Sequence, residues 1–163
     1  MSEPAGAPIV VLIDDEPEIL SSLRRLLRKE PYEVLTTVNP EEAVAWILLR
    51  KASLVMADQR MPTMSGLDLL EIVRLCSPLT VRVMLSGQTD LTGILKRTGI
   101  EAIERLVRKP WDGEDLKRVL RELLSKRGRR AEAQPRTETA LCGSHMKIQT
   151  VLSQQGPASM EGR

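Results

Sequence analysis

Leu54-Val55-Met56-Ala57-Asp58-Gln59-Arg60-Met61-Pro62-Thr63-Met64-Ser65-Gly66 carries more of the architecture than any other segment of the chain. Four apolar residues follow one another without alternation, which marks a strand buried on both faces, as in a parallel sheet covered by helices. The run stops at an aspartate, so Asp58 stands where the strand emerges. Ser65 then reads as an N-cap, with Asp68 three residues on as a shorter stand-in for the usual capping glutamate. The stretch it opens holds Leu67, Leu70, Ile72 and Val73. One strand, one polar turn and one helix are thus legible here.

The same unit repeats outward in both directions. Ile9–Ile13, Tyr32–Val38, Val81–Leu85 and Arg105–Val107 are further apolar runs of strand length. Between them, Ile19, Leu20, Leu23, Leu26 and Leu27 form one helical face opposite Arg24, Arg25 and Arg28. Asn39-Pro40-Glu41-Glu42 supplies an N-cap, a first-turn proline and acids favoured by the helix dipole. A weaker helix is predicted from Leu91 to Gly99, and a last apolar stripe runs through Leu116, Val119, Leu120, Leu123 and Leu124. The order βαβαβαβαβα predicts an α/β fold, a doubly wound five-stranded parallel sheet with helices on both faces. Function is then expected at the carboxyl ends of the strands.

Composition excludes several classes. Aromatic residues make up 2% of the chain, with no Phe, which leaves no stacking platform for single-stranded nucleic acid. Cys76 and Cys142 are far apart, so neither a disulfide framework nor a zinc site is expected. No run reaches the roughly 20 apolar residues of a membrane span, and Met1 to Pro8 lacks the features of a signal peptide. A cytoplasmic protein is expected. Residues 1–125 read as one domain with 17 basic and 19 acidic side chains; residues 126–163, with 7 and 3, read as a basic linker or disordered tail. Within it, Lys126, Arg127, Arg129 and Arg130 read as a solvated helix end, with phosphate contact as the alternative. Gly143-Ser144-His145-Met146 has the look of a cloning scar.

Polar residues stand at four strand ends: Asp14-Asp15-Glu16, Asp58, Ser86-Gly87 and Lys109-Pro110. Singly, each reads as a turn former or cap. Jointly, Asp14, Asp15 and Asp58 converge on one sheet edge, which is unfavourable without a cation. Oxygen ligands with room for water suit Mg²⁺. Asp58 is then a candidate nucleophile toward phosphorus, Ser86 a hydroxyl donor and Lys109 a neutralising cation.

With these residues in place, the chain from Ile9 to Leu124 resembles the receiver domain of bacterial two-component response regulators, the CheY-like family. The motifs are Val-Leu-Ile-Asp-Asp-Glu (11–16), Asp-Gln-Arg-Met-Pro-Thr-Met-Ser-Gly (58–66), Leu-Ser-Gly (85–87) and Lys-Pro-Trp (109–111). The resemblance implies a flavodoxin-like strand order 2-1-3-4-5. It implies Asp58 as the phosphoacceptor, with Asp15 as main metal ligand, Asp14 through water, and the backbone carbonyl of Arg60 as a further ligand. It makes Ser86 and Lys109 the phosphoryl-binding pair and the Lys109–Pro110 bond cis. A switch rather than an enzyme is implied, phosphorylated by a cognate sensor histidine kinase and read by an effector domain or protein. The signal would pass through the surface of the fourth helix, fifth strand and fifth helix, with Lys96, Arg97, Glu101, Glu104, Lys117, Arg118 and Arg121. Homodimerisation through that face is a further expectation.

Two positions depart from the family. Leu106 stands where the switch aromatic is usual, and Arg60 lies where side chains modulate autodephosphorylation. The Asp-Gln-Arg-Met-Pro and Lys-Pro-Trp variants resemble receivers attached to cyclic-dinucleotide phosphodiesterase or enhancer-binding ATPase outputs. Neither output is in the chain: His145 is its one histidine, and there is no phosphate-loop motif. The tail lacks the helical periods of a helix-turn-helix. A stand-alone receiver or a fragment of a longer regulator is expected. The competing class is a degenerate receiver acting as a phosphorylation-independent interaction module, and Asp58, Lys109 and the acidic pair oppose it. A haloacid-dehalogenase-type phosphatase needs an aspartate where Arg60 stands, and a flavodoxin-type cofactor site would be repelled by Asp14-Asp15-Glu16.

Overall fold

A computed structural model describes residues 6–87 and 101–133. The elements are β1 (Ile9–Ile13), α1 (Pro17–Leu27), β2 (Glu33–Thr37), α2 (Pro40–Leu49), β3 (Leu54–Asp58), α3 (Gly66–Cys76), β4 (Val81–Ser86), β5 (Arg105–Arg108) and α4 (Gly113–Ala133). The helix expected over Leu91 to Gly99 lies outside the described residues, as do Lys96 and Arg97. What the sequence numbers as a fifth helix is therefore α4.

All strand pairs are parallel, in the order β2-β1-β3-β4-β5. This is the doubly wound parallel sheet expected from the alternation of strands and helices, in the flavodoxin-like order that the resemblance implies. Every residue of β3 and β4 is buried, which is why those runs are continuous rather than alternating. Successive side chains of a strand point to opposite faces and feed two cores. Val11, Val55, Ala57 and Met84 meet α2 and α3 through Ala43, Ile47, Leu69, Leu70 and Val73. Val10, Leu12, Met56, Val83 and Leu85 meet α1 and α4 through Leu20, Leu23, Leu27, Leu116 and Leu120. Each such leucine, fully withdrawn from water, contributes about 1.5–3 kcal/mol before entropy is counted.

The helix starts follow the sequence signals. Asn39 Oδ1 accepts from the Glu41 amide at 2.9 Å, and Pro40 occupies the first turn. Ser65 Oγ accepts from the Asp68 amide at 3.1 Å, which caps the helix, and donates to Asp68 Oδ2 at 2.6 Å, so the shorter acid reaches the serine hydroxyl.

The last helix runs further than its apolar stripe. The tail was expected from residue 126, but α4 continues to Ala133. The apolar stripe ends near Leu124 because the helix there runs past the core. Polar contacts carry it on: Lys126 Nζ pairs with Glu122 at 2.6 Å, Arg127 Nε donates to the Leu79 carbonyl at 3.1 Å, and Arg130 meets Glu104 at 3.1 Å. Residues 134–163 lie outside the described residues. Among those described, no helix is long and apolar enough to cross a membrane.

Candidate functional site

Parallel register brings the strand ends together. Ile13 pairs with Ala57, Asp58 with Leu85 and Ser86 with Arg108, so Asp14, Asp58, Ser86 and Lys109 all emerge at one edge. β1 and β3 are adjacent while β2 lies on the far side of β1, which makes the gap between them the switch point in strand order.

Lys109 is the hub. Its Nζ lies 2.7 Å from Asp58 Oδ1 and 2.9 Å from Asp14 Oδ2, joining residues 95 apart in sequence. Asp14 is wholly buried, Asp58 is 6% exposed, and the Lys109 side chain is 21% exposed. The remaining carboxylate oxygens are held by the main chain. Asp14 Oδ1 accepts from the Glu16 amide at 2.9 Å, and Asp58 Oδ2 accepts from the Arg60 amide at 3.0 Å. The peptide bond from Lys109 to Pro110 is cis, as the resemblance implies.

The titration behaviour follows from this packing. Burial pushes the Asp14 carboxyl above its ordinary range, against the Glu16 amide and Lys109, which favour its charged form. Burial alone would lower the Lys109 ammonium, but its hydrogen bonds to Asp58 and Asp14 outweigh that and hold it above its ordinary value. The two carboxylates share one cation, so the pocket is short of positive charge.

The other sequence candidates lie around this trio. Asp15 is exposed, and one carboxylate oxygen from each of Asp14, Asp15 and Glu16 lies within 4.8 Å of the others. Glu16, quoted in the first motif but given no role, therefore belongs to the same acidic cluster. Ser86 is fully buried, and its Oγ donates to the Gly87 carbonyl at 3.1 Å. It stands at the edge with Asp58 without a hydrogen bond to it. Oxygen donors with an excess of negative charge suit a hard divalent cation such as Mg²⁺.

A residue the sequence reading gave no role is Gly66. A Cβ built on it would lie 2.2 Å from the backbone carbonyl oxygen of Asp58. Gly66 N also donates to the Gln59 carbonyl at 3.0 Å, and Gln59 Oε1 accepts from the Leu67 amide at 3.1 Å. The start of α3 is thus clamped onto the end of β3, and only glycine allows that approach. Its place at the close of the quoted motif was the available signal.

The chain resembles known proteins over this same span. Residues 10–121 match the model of the response regulator receiver domain. The hydrogenase transcriptional regulatory protein HoxA of Cupriavidus necator is 34% identical over 119 residues, covering 73% of this chain and 24% of that protein. The chain therefore spans about a quarter of the length of this curated relative. The signal receiver domain of an HD domain-containing protein from Pseudomonas fluorescens superposes with a TM-score of 0.75 at 29% identity, covering 82% of this chain and 98% of that one. The response regulator protein TrrA from Thermotoga maritima, in complex with Mg²⁺ and BeF, gives a TM-score of 0.63 at 27% identity, covering 71% of this chain and 98% of that one.

Proposed function

This chain belongs to the response regulator receiver domain family, and on that premise we propose that it is a two-component phosphoacceptor that takes a phosphoryl group on Asp58 with Mg²⁺ bound. The observation that carries the reading is the Lys109 ammonium set between the Asp58 and Asp14 carboxylates. The residues that would hold the cation are Asp14, Asp15, Asp58 and the backbone carbonyl of Arg60. Bound there, the cation neutralises charge on the acidic edge and on the incoming phosphoryl oxygens.

The rest of the chemistry falls to the chain. A carboxylate oxygen of Asp58 forms the new bond to phosphorus as the bond from phosphorus to the donor's leaving atom breaks. The Arg60 amide, on Oδ2, fixes the plane of the carboxylate before attack. Lys109 follows the charge from Asp58 to a phosphoryl oxygen, and Ser86 gives up its bond to Gly87 to donate to another. The donor would be a phosphohistidine on a cognate sensor kinase in the cytoplasm. The receiver unit is read as ending with α4, followed by a linker or tail. The output is read as a separate effector domain or protein, reached through the β5–α4 side of the molecule. The Asp-Gln-Arg-Met-Pro and Lys-Pro-Trp motifs support reading it as a receiver that serves a cyclic-dinucleotide phosphodiesterase or enhancer-binding ATPase output.

Intact mass after incubation with a small phosphoryl donor tests this. One phosphoryl adduct is expected, requiring Mg²⁺ and absent in Asp58→Asn. A folded chain that takes no phosphoryl group from any donor would instead be a phosphorylation-independent interaction module.

A further inference from the structure

Among the described helices, α2 alone turns an apolar stripe to water. Pro40, Ala43 and Ile47 are buried against the core, while Ala45, Leu48 and Leu49 point outward, Leu49 at 81% exposure. A helix packed on one side normally presents polar residues on the other. Val38, just ahead of the helix, is also exposed, so three of the five exposed large hydrophobics among the described residues lie on this one edge. The edge is formed by the outermost strand, β2, and lies on the far side of the sheet from β5 and α4.

The charges at the ends of the stripe say what fits it. Glu41 is exposed in the first turn and Lys51 is exposed just past the last, and neither takes part in an ion pair among the described residues. An acidic end, an apolar middle and a basic end are complementary to a second copy of the same helix running the opposite way. Ala45 lies at the centre of the outward stripe, where a small side chain lets two helices approach closely. We propose that the α2 face is a self-association surface on which a second copy of this chain docks about a two-fold axis, with the two α2 helices antiparallel.

In that arrangement Leu48 and Leu49 of each copy pack beside Ala45 of the other. Glu41 of each copy faces Lys51 of its mate, the reciprocal pattern of an isologous contact. A helix of this size is about 15 Å long. The apolar patch is a few hundred Å² at most, short of the roughly 800 Å² per partner of a standard interface. The dimer is therefore weak and concentration-dependent. It needs nothing from the phosphoryl chemistry, and it leaves the β5–α4 side free.

Sedimentation equilibrium of the full chain tests it, over about 10 µM to 1 mM, where so small an interface associates. A monomer–dimer equilibrium is expected, weakened about tenfold or more by Leu49→Lys. Glu41→Lys and Lys51→Glu are each expected to weaken it, and the double charge swap to restore it. Asp58→Asn should associate as the wild type does. Thermal melts of each variant check the fold, which surface changes at these exposed positions should leave intact. A chain that stays monomeric throughout, association that Leu49→Lys leaves unchanged, or a double swap that fails to restore it would each overturn the proposal.

Discussion

At the amino-terminal edge of the sheet, near the start of β4, Arg82 is 7% exposed and turns its guanidinium inward. Its Nε donates to the Ala102 carbonyl at 3.0 Å, and its Nη1 to the carbonyls of Thr80 at 2.9 Å and Pro78 at 3.3 Å. Its Nη2 lies 3.5 Å from both the Glu101 carbonyl and the Glu104 carboxylate. At the other end of the same strand, one ammonium serves two buried carboxylates, with Asp15 and Glu16 adding negative charge beside them. The first site has spent its donors internally; the second is short of cations. A planar fork of fixed donors suits the closed site, and a flexible point charge that can change partners suits the open one. Buried charge alone therefore does not mark function. The difference lies in whether the protein itself completes the electrostatics.

If the carboxyl edge is open and Lys109 moves with the reacting charge, Lys109→Met should slow phosphoryl uptake by about 10²–10³-fold, the scale set by losing one stabilising donor. Initial rates by mass spectrometry measure this. A rate close to wild type would make Lys109 as structural as Arg82 and erase the contrast.

Arg82→Met is the reciprocal case. It leaves four carbonyls without their donor and Glu104 with Arg130 alone, and breaking a buried charged pair costs about 3 kcal/mol. Urea denaturation should show that loss, while phosphoryl uptake by the folded protein stays near wild type. A drop in uptake with stability intact would mean that the two ends of β4 are coupled.

Gly66→Ala sharpens the comparison at the open end. The new methyl meets the Asp58 carbonyl, a backbone atom with no rotamer to yield, so β3 and α3 must part. An overpacking cost of about 1–3 kcal/mol is expected, together with reduced uptake, because the moved backbone is the one that carries the acceptor. Thermal melts and the mass assay read the two effects separately.

The smallest effect concerns a third charged pair, satisfied within the protein like Arg82 but with its arginine exposed to water, and remote from the site. Arg121 donates to both carboxylate oxygens of Glu30, at 2.8 and 2.5 Å. That hydrogen bonding holds the Glu30 carboxyl below its ordinary 4.5, against the opposing effect of burial. The folded protein thus releases this proton more readily than the unfolded chain does. The stabilisation is present above pH 4.5 and is lost as pH falls through the lower folded value. Glu30→Gln should flatten that part of the acid limb in a series of thermal melts. An unchanged limb would assign the acid loss to other carboxylates.

Much of this was legible beforehand because it is local. An uninterrupted run at Leu54–Ala57 needs two covered faces, and a serine followed three residues later by an acid needs a helix start; both depend on neighbours within a few residues. The site candidates were legible for a related reason. A parallel sheet puts all strand ends on one edge, so Asp14, Asp58, Ser86 and Lys109 had to converge once the element order was known.

Other features depended on contacts between distant parts of the chain. Asp14 and Asp15 are adjacent and chemically alike, yet one is sealed under Lys109 and the other faces water. Arg82 reads as one polar interruption in an apolar run, and its partners come from the turn before β4 and the segment before β5. The last two turns of α4 have no apolar stripe to announce them and are held by Leu79 and Glu104. Sequence pattern reports periodicity, and periodicity says which face of an element is covered. Which ion meets which, and how far a helix runs beyond its core, depend on distances across the fold, because charge and hydrogen bonds act through space rather than along the chain.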